Sequence, residues 1–147
     1  MGWEDCHLHE FQVAGRRYEI PDPENFEQST KPFDERHVKL NMIVREAGTE
    51  FNYLYDFGDG WEHGLRLEAI LSRSAGVHYP RCTDGARSGL PADVGGVGGY
   101  EHYLKTLADP SHEQHEEMLA WRGPFDSERF DMKAINGELA RLFRVGR

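Results

Sequence analysis

The chemistry-bearing residues of this chain gather in one eleven-residue stretch, Tyr53-Leu54-Tyr55-Asp56-Phe57-Gly58-Asp59-Gly60-Trp61-Glu62-His63. Carboxylates and an imidazole around a tight turn suit general acid/base work or metal ligation. The simpler reading is structural: Asp56 and Asp59 accept from turn N–H groups, Trp61 is core and His63 pairs with a carboxylate. A second constellation is His7 and His9, one residue apart and so on one face of a strand. With His63 and Cys82 they form a possible set for a divalent metal, although zinc sites more often show paired short spacings. His112 and His115 are read as solvated helix positions.

Cys82 lies between Arg81 and Arg87, whose charges favour a thiolate, but no base accompanies it. The run Gly95-Gly96-Val97-Gly98-Gly99 precedes a helical pattern and invites an anion at a helix N-terminus. It lacks the Gly-Lys-Ser/Thr ending of a phosphate loop and does not follow a strand. A glycine-rich turn is the plainer reading.

The elements that must position these residues follow from periodicity. Leu8 to Val13 alternates as a strand, Ala14-Gly15-Arg16 turns, and Arg17 to Ile20 returns. Pro21, Pro23 and Pro32 mark a loop. Val38 to Val44 reads as a short helix closed by Gly48, or as a strand. Phe51–Phe57, a Gly-Asp-Gly turn and His63–Leu71 make a second hairpin. Residues 78–99 hold too many glycines and prolines for regular structure, and such loops are functional or disordered. Helices are expected over Gly98–Ala108, after Ser111 with a capping box to Gln114, and over Met132–Phe143 with Asp131 near its start. Strands first and helices last mean an α+β fold: N-terminal antiparallel hairpins packed against C-terminal helices, in a single domain spanning 1–147.

Composition agrees with that size. The 147 residues suffice for one core, and the 12% aromatic content offsets a modest apolar fraction of 38%. The net charge of −9 opposes duplex nucleic-acid binding, and Arg141, Arg144 and Arg147 read as a solvated helix tail. Two cysteines are too few for a disulfide framework, so a cytoplasmic location is expected. No apolar run is long enough for a membrane span, and the N-terminus does not read as a signal peptide.

The stretch 53–63, Leu67-Glu68, Tyr79-Pro80-Arg81-Cys82-Thr83-Asp84-Gly85-Ala86-Arg87, Asp93 to Tyr100, Phe125-Asp126, Phe130-Asp131 and Ile135-Asn136 occur in one order, after Trp3 to Phe11. In this ordered set the chain resembles the plasmid pRiA4b ORF-3-like family over nearly its whole length. The resemblance implies an α+β domain and no assigned activity, with a hint of plasmids or mobile elements. It also implies a further strand and helix ahead of Met1, so that the chain reads as a member missing them, with an exposed strand edge. Many members carry Pro-Pro-Glu-Asp with extra cysteines where this chain has Gly89-Leu90-Pro91-Ala92-Asp93-Val94. That substitution removes the glutamate and thiolates a zinc site there would use.

The leading expectation is a binding or interaction module, with a protein partner or self-association more plausible than nucleic acid. Its surface is expected between the 53–63 hairpin and the 79–100 loop: Tyr55, Asp56, Asp59, Trp61, His63, Arg81, Arg87 and Asp93. The rival is a metal-dependent hydrolase using Asp56, Asp59 and His63.

Overall fold

Ala14 and Gly15 both take positive φ, 50° and 74°, which a two-residue hairpin turn of matching twist requires. They join β1 (His9–Val13) to β2 (Arg16–Glu19). The computed structural model describes residues 3, 6–21 and 31–143. Pro23, Arg144 and Arg147 lie outside the described residues.

The second hairpin joins β4 (Glu50–Tyr55) to β5 (Trp61–Arg66). β1 pairs antiparallel with β4, aligning Phe11 with Tyr53 and His9 with Tyr55. The sheet is mixed rather than built of antiparallel hairpins alone. A two-residue strand, β3 (Phe33–Asp34), runs parallel to β2, and the order is β3-β2-β1-β4-β5. A 3-10 turn, Glu35–His37, and the short α1 (Leu40–Ile43) follow β3. The helical reading of this segment holds, but α1 ends at Val44, four residues before Gly48.

Alternation separates two faces of the sheet. One carries Val13, Tyr18 and Phe51, which with Val44 form a buried cluster flanked by Phe11, Val38, Ile43 and Leu67. The other carries Glu10, Gln12, Arg17 and Glu19. Glu10 and Glu19 sit opposite each other and are buried. Arg17 lies 3.5 Å from one carboxylate and 3.6 Å from the other, so a cation offsets the like-charge contact.

The C-terminal half is helical: α2 (Gly96–Ala108), α3 (His115–Arg122) and α4 (Met132–Leu142). This gives the α+β class expected from the order of elements. The chain divides into a sheet unit, Asp5–Ser72 with Gly95–Val97, and a helical unit made of Met1–Glu4, Arg73–Val94 and Gly98–Arg147. In the helical unit Tyr103 is buried edge-on to Trp121, with ring centroids 5.7 Å apart, and against Phe125. Gly123 (φ 73°) ends α3 and Asp131 caps α4 by accepting from the Ala134 N–H. Ser111 does not cap α3. Both its N–H and its hydroxyl donate to Asp109, forming a turn that delays the helix to His115. Arg141 pairs with Glu138 at 2.8 Å.

The 73–94 stretch has little regular structure, yet side chains hold it in place. Trp3 Nε1 donates to Leu90 O, Ser88 Oγ donates to Asp126 O and Arg129 O, and Arg122 donates to Ala92 O. Among the described residues no helix is long and apolar enough to cross a membrane.

Candidate functional site

The 53–63 turn is built around Asp56. Its backbone adopts φ 58°, while its Oδ1 accepts from the N–H groups of Gly58 and Asp59 at 3.0 and 3.2 Å. An aspartate that bonds its own turn tolerates this left-handed conformation better than most residues. Asp59 faces a different donor, the Gly95 N–H, with its Oδ2 at 3.2 Å. The anion at the glycine-rich start of α2 is therefore the chain's own carboxylate. His63 Nδ1 lies 3.2 Å from Tyr53 O. Tyr55 and Trp61 are buried. Burial, together with a hydrogen bond to the Cys6 thiol, pushes the Tyr55 phenol above its usual range.

Asp56, Asp59 and His63 do not converge as metal ligands, so the arrangement a metal-dependent hydrolase needs is not made by these three. The set of His7, His9, His63 and Cys82 disperses too. His7 precedes β1 and lies 3.7 Å from Asp56. His9 opens β1 and approaches Glu35. Cys82 belongs to the helical unit, where its Sγ is 3.2 Å from Asp84 O. Arg87 pairs with Glu128 at 3.4 Å. Asp93 has φ 59°. Arg81, Arg87 and Asp93 all belong to the helical unit, and the other five binding candidates belong to the sheet unit. His112 and His115 are half-buried and bonded: His112 Nδ1 accepts from the Gln114 N–H and His115 Nδ1 lies 2.9 Å from Thr106 O.

The sheet unit does gather another group. His63 stacks at an angle on Tyr53, whose ring also meets His9 and Phe11, with centroid distances of 5.7, 5.7 and 4.7 Å. Cross-strand pairing places these rings side by side, because Phe11 and His63 both oppose Tyr53 in the ladder. At the end of this row His9 Nε2 lies 2.9 Å from Glu35 Oε1. Glu35 lines a cavity of about 230 Å3 with Phe11, Tyr18, Val38, Leu40 and Ile43. Its Oε2 is buried and has no hydrogen-bond partner among the described residues. Asp34, next in the chain, is held at a pKa of about 2 by its hydrogen bonds from Arg36.

Sequence reasoning passed over Glu35. It sits in a charged triplet that reads as a helix lead-in, and its partner lies 26 residues away. The signal that remained was the apolar set Val38, Leu40 and Ile43 shortly after the charged triplet.

The comparisons agree with the ordered motifs. The family model for the plasmid pRiA4b ORF-3-like protein matches residues 1–134. A Sinorhizobium fredii protein described as uncharacterized protein y4hQ is 39% identical over 137 residues, 92% of this chain and 67% of its own length. The crystal structure of a protein of unknown function, MM3350 from Methanosarcina mazei Go1, superimposes with a TM-score of 0.76 at 40% identity. That match covers 91% of this chain and 75% of the other. The chain belongs to the plasmid pRiA4b ORF-3-like family.

Proposed function

We propose that this protein is a non-catalytic binding module that takes a small ligand on the aromatic face of its sheet, in the cavity beside His9 and Glu35. One observation carries the reading. A largely apolar cavity of about 230 Å3 is lined by Phe11, Tyr18, Val38, Leu40 and Ile43 together with Glu35, whose Oε1 lies 2.9 Å from His9 Nε2. Ligand sites are typically apolar hollows with a few placed polar groups. The row His63–Tyr53–His9 lies on the same face of the sheet, and its Tyr53 ring meets Phe11 of the cavity lining. Asp56 and Asp59 are engaged with backbone N–H groups, which supports a structural role for them. A cytoplasmic location belongs to the same reading and is supported by the free thiols of Cys6 and Cys82.

The test is a fluorine-NMR screen of small neutral aromatic fragments against the full chain and against Leu40→Trp. Leu40 is half-exposed on the cavity wall, so an indole there fills space at modest cost to folding. Fragments that bind the parent and lose binding to Leu40→Trp support the reading. Equal binding to both proteins, or none at millimolar fragment, overturns it.

A further inference from the structure

We infer that the outer edge of β5 is a self-association surface, on which a second copy of this chain pairs its own β5 antiparallel about a twofold axis at Gly64. The surface lies away from the ligand cavity, and the inference is independent of it.

The argument begins with the direction of backbone groups. β5 ends the strand order β3-β2-β1-β4-β5, so a strand adjoins it on one side only. In an antiparallel ladder, residues bonded to the neighbouring strand alternate with residues whose N–H and C=O point away from it. The Leu67 N–H donates to Thr49 O at 2.9 Å, and the register sets Leu65 against Phe51, His63 against Tyr53 and Trp61 against Tyr55. Counting back in twos from Leu67, these residues turn toward β4. Glu62, Gly64 and Arg66 turn the other way, and all three are exposed. Among the described residues no backbone hydrogen bond reaches this side of the strand. An edge of this kind is a template for a further strand.

The sequence of β5 selects a copy of itself as that strand. With Gly64 on the axis, Glu62 lies opposite Arg66 of the second copy, and symmetry repeats the pair on the other side. Every outward residue then meets an outward residue, and each such pair exchanges two hydrogen bonds. Glu62, Gly64 and Arg66 also share one face of the sheet, so a carboxylate and a guanidinium stand side by side across the junction, a favourable cross-strand pair. The neighbour that Arg66 has within its own chain is loose: Glu50 Oε1 at 4.0 Å, with both side chains largely in solvent. On the opposite face Leu65, 37% exposed, is covered by His63 of the second copy.

Other registers are worse. An axis on Glu62 or Arg66 opposes like charges, and an axis on His63 or Leu65 carries Arg66 or Glu62 past the end of the partner strand. Gly64 itself points to a partner. A glycine inside a strand weakens it and often marks the close approach of another backbone. Within the single chain nothing requires it, because its φ is not in the left-handed region and a Cβ would meet nothing within 4 Å. On the axis it keeps two identical side chains from meeting.

Sedimentation velocity of the full chain from micromolar to millimolar concentration tests the inference, with Gly64→Pro, Glu62→Arg and the double variant Glu62→Arg/Arg66→Glu beside the parent. Proline is tolerated on an edge strand where its N–H would face outward, and thermal melts verify that each variant is folded. The expected parent is a reversible dimer. Its dissociation constant rises at least tenfold in Gly64→Pro and in Glu62→Arg, and the double variant, which restores opposite charges, returns to within a few-fold of the parent. A parent that is monomeric throughout overturns the inference, as does a dimer that Gly64→Pro leaves intact. A double variant no better than Glu62→Arg overturns the register and the inference with it. If Gly64→Pro fails to fold, the charge series decides alone.

Discussion

Asn136 holds the backbone of Cys82 with both ends of its amide. Its Oδ1 accepts from the Cys82 N–H at 2.8 Å, and its Nδ2 donates to the Cys82 carbonyl at 2.9 Å. The pair spans 54 residues of sequence and joins α4 to the 73–94 stretch within the helical unit. An amide side chain here takes the place of a strand partner, giving an irregular segment the two hydrogen bonds that its backbone needs.

Removing that clamp should therefore cost stability. Asn136→Ala leaves two partly buried backbone groups without their partners, and the expected loss is about 1–3 kcal/mol. Asn136→Asp keeps the acceptor and loses the donor, so it should lie between parent and alanine. Urea unfolding of the three proteins checks the order. A loss under about 0.5 kcal/mol for Asn136→Ala, the usual range of plain surface changes, would show that water replaces the clamp.

Gly96 and Gly98 stand two residues apart and should respond oppositely to alanine. At Gly96 φ is +67° and a Cβ would fall 2.6 Å from Asp59 O. The strained backbone alone costs roughly 1–3 kcal/mol, and Gly96→Ala should be destabilising. At Gly98, inside α2, a Cβ would meet open space. Gly98→Ala should stabilise by about 0.4–1 kcal/mol, through lower unfolded-chain entropy and better helix propensity. Thermal melts of both variants decide the matter, and two shifts of the same sign would contradict this geometry.

Tyr103 is 1% exposed, and its hydroxyl has no hydrogen-bond partner among the described residues. Burial holds the phenol pKa above its usual range. Tyr103→Phe keeps the ring contacts with Trp121 and Phe125 and removes the unsatisfied group. It should be neutral or stabilising by up to about 1 kcal/mol, whereas Tyr103→Ala should cost about 3–5 kcal/mol as a large-to-small core change. Denaturant midpoints measure both. A clear loss for Tyr103→Phe would reveal a partner for the hydroxyl.

Acid should weaken the fold below pH 4. Asp34 is held at about 2 by Arg36, and Asp109 and Asp131 are lowered by the Ser111 and Ala134 groups that they accept from. Each binds its proton more weakly folded than unfolded, where an aspartate titrates near 3.9. Their contribution is thus complete above that value and lost as pH falls toward about 2. Urea midpoints at pH 5, 3 and 2 should fall, and the fall should be smaller in Asp34→Asn. An equal fall in that variant would shift the effect to other groups.

Both hairpins were legible, because alternation and turn residues act over a few positions. The three long helices were legible for the same reason, together with the Asp131 boundary of the last. The parallel strand β3 was not, since two residues carry no period and a parallel partner leaves no turn signal. Ser111 misled because its hydroxyl had a nearer acceptor in Asp109 than the backbone that it was expected to cap. The dense 53–63 motif suggested chemistry, yet Tyr55 and Trp61 are buried and Asp56 holds the turn. Glu35 stayed hidden because its meaning depends on His9, and only the lateral order of the strands brings the two together.

The parallel pairing of Tyr18 with Phe33 also sets how the chain tolerates changes in length. Thirteen residues separate Glu19 from Phe33, and strands that pair in parallel cannot be joined by a two-residue hairpin turn. A link cut to the about two to five residues of a hairpin loop would permit only a half turn. Phe33–Asp34 would then meet β2 head to tail, and the segment that brings Glu35, Val38, Leu40 and Ile43 to the cavity would be inverted with it. The parallel pairing therefore sets a lower limit on the separation of β2 and β3, and a chain shortened past it gives up one wall of the cavity.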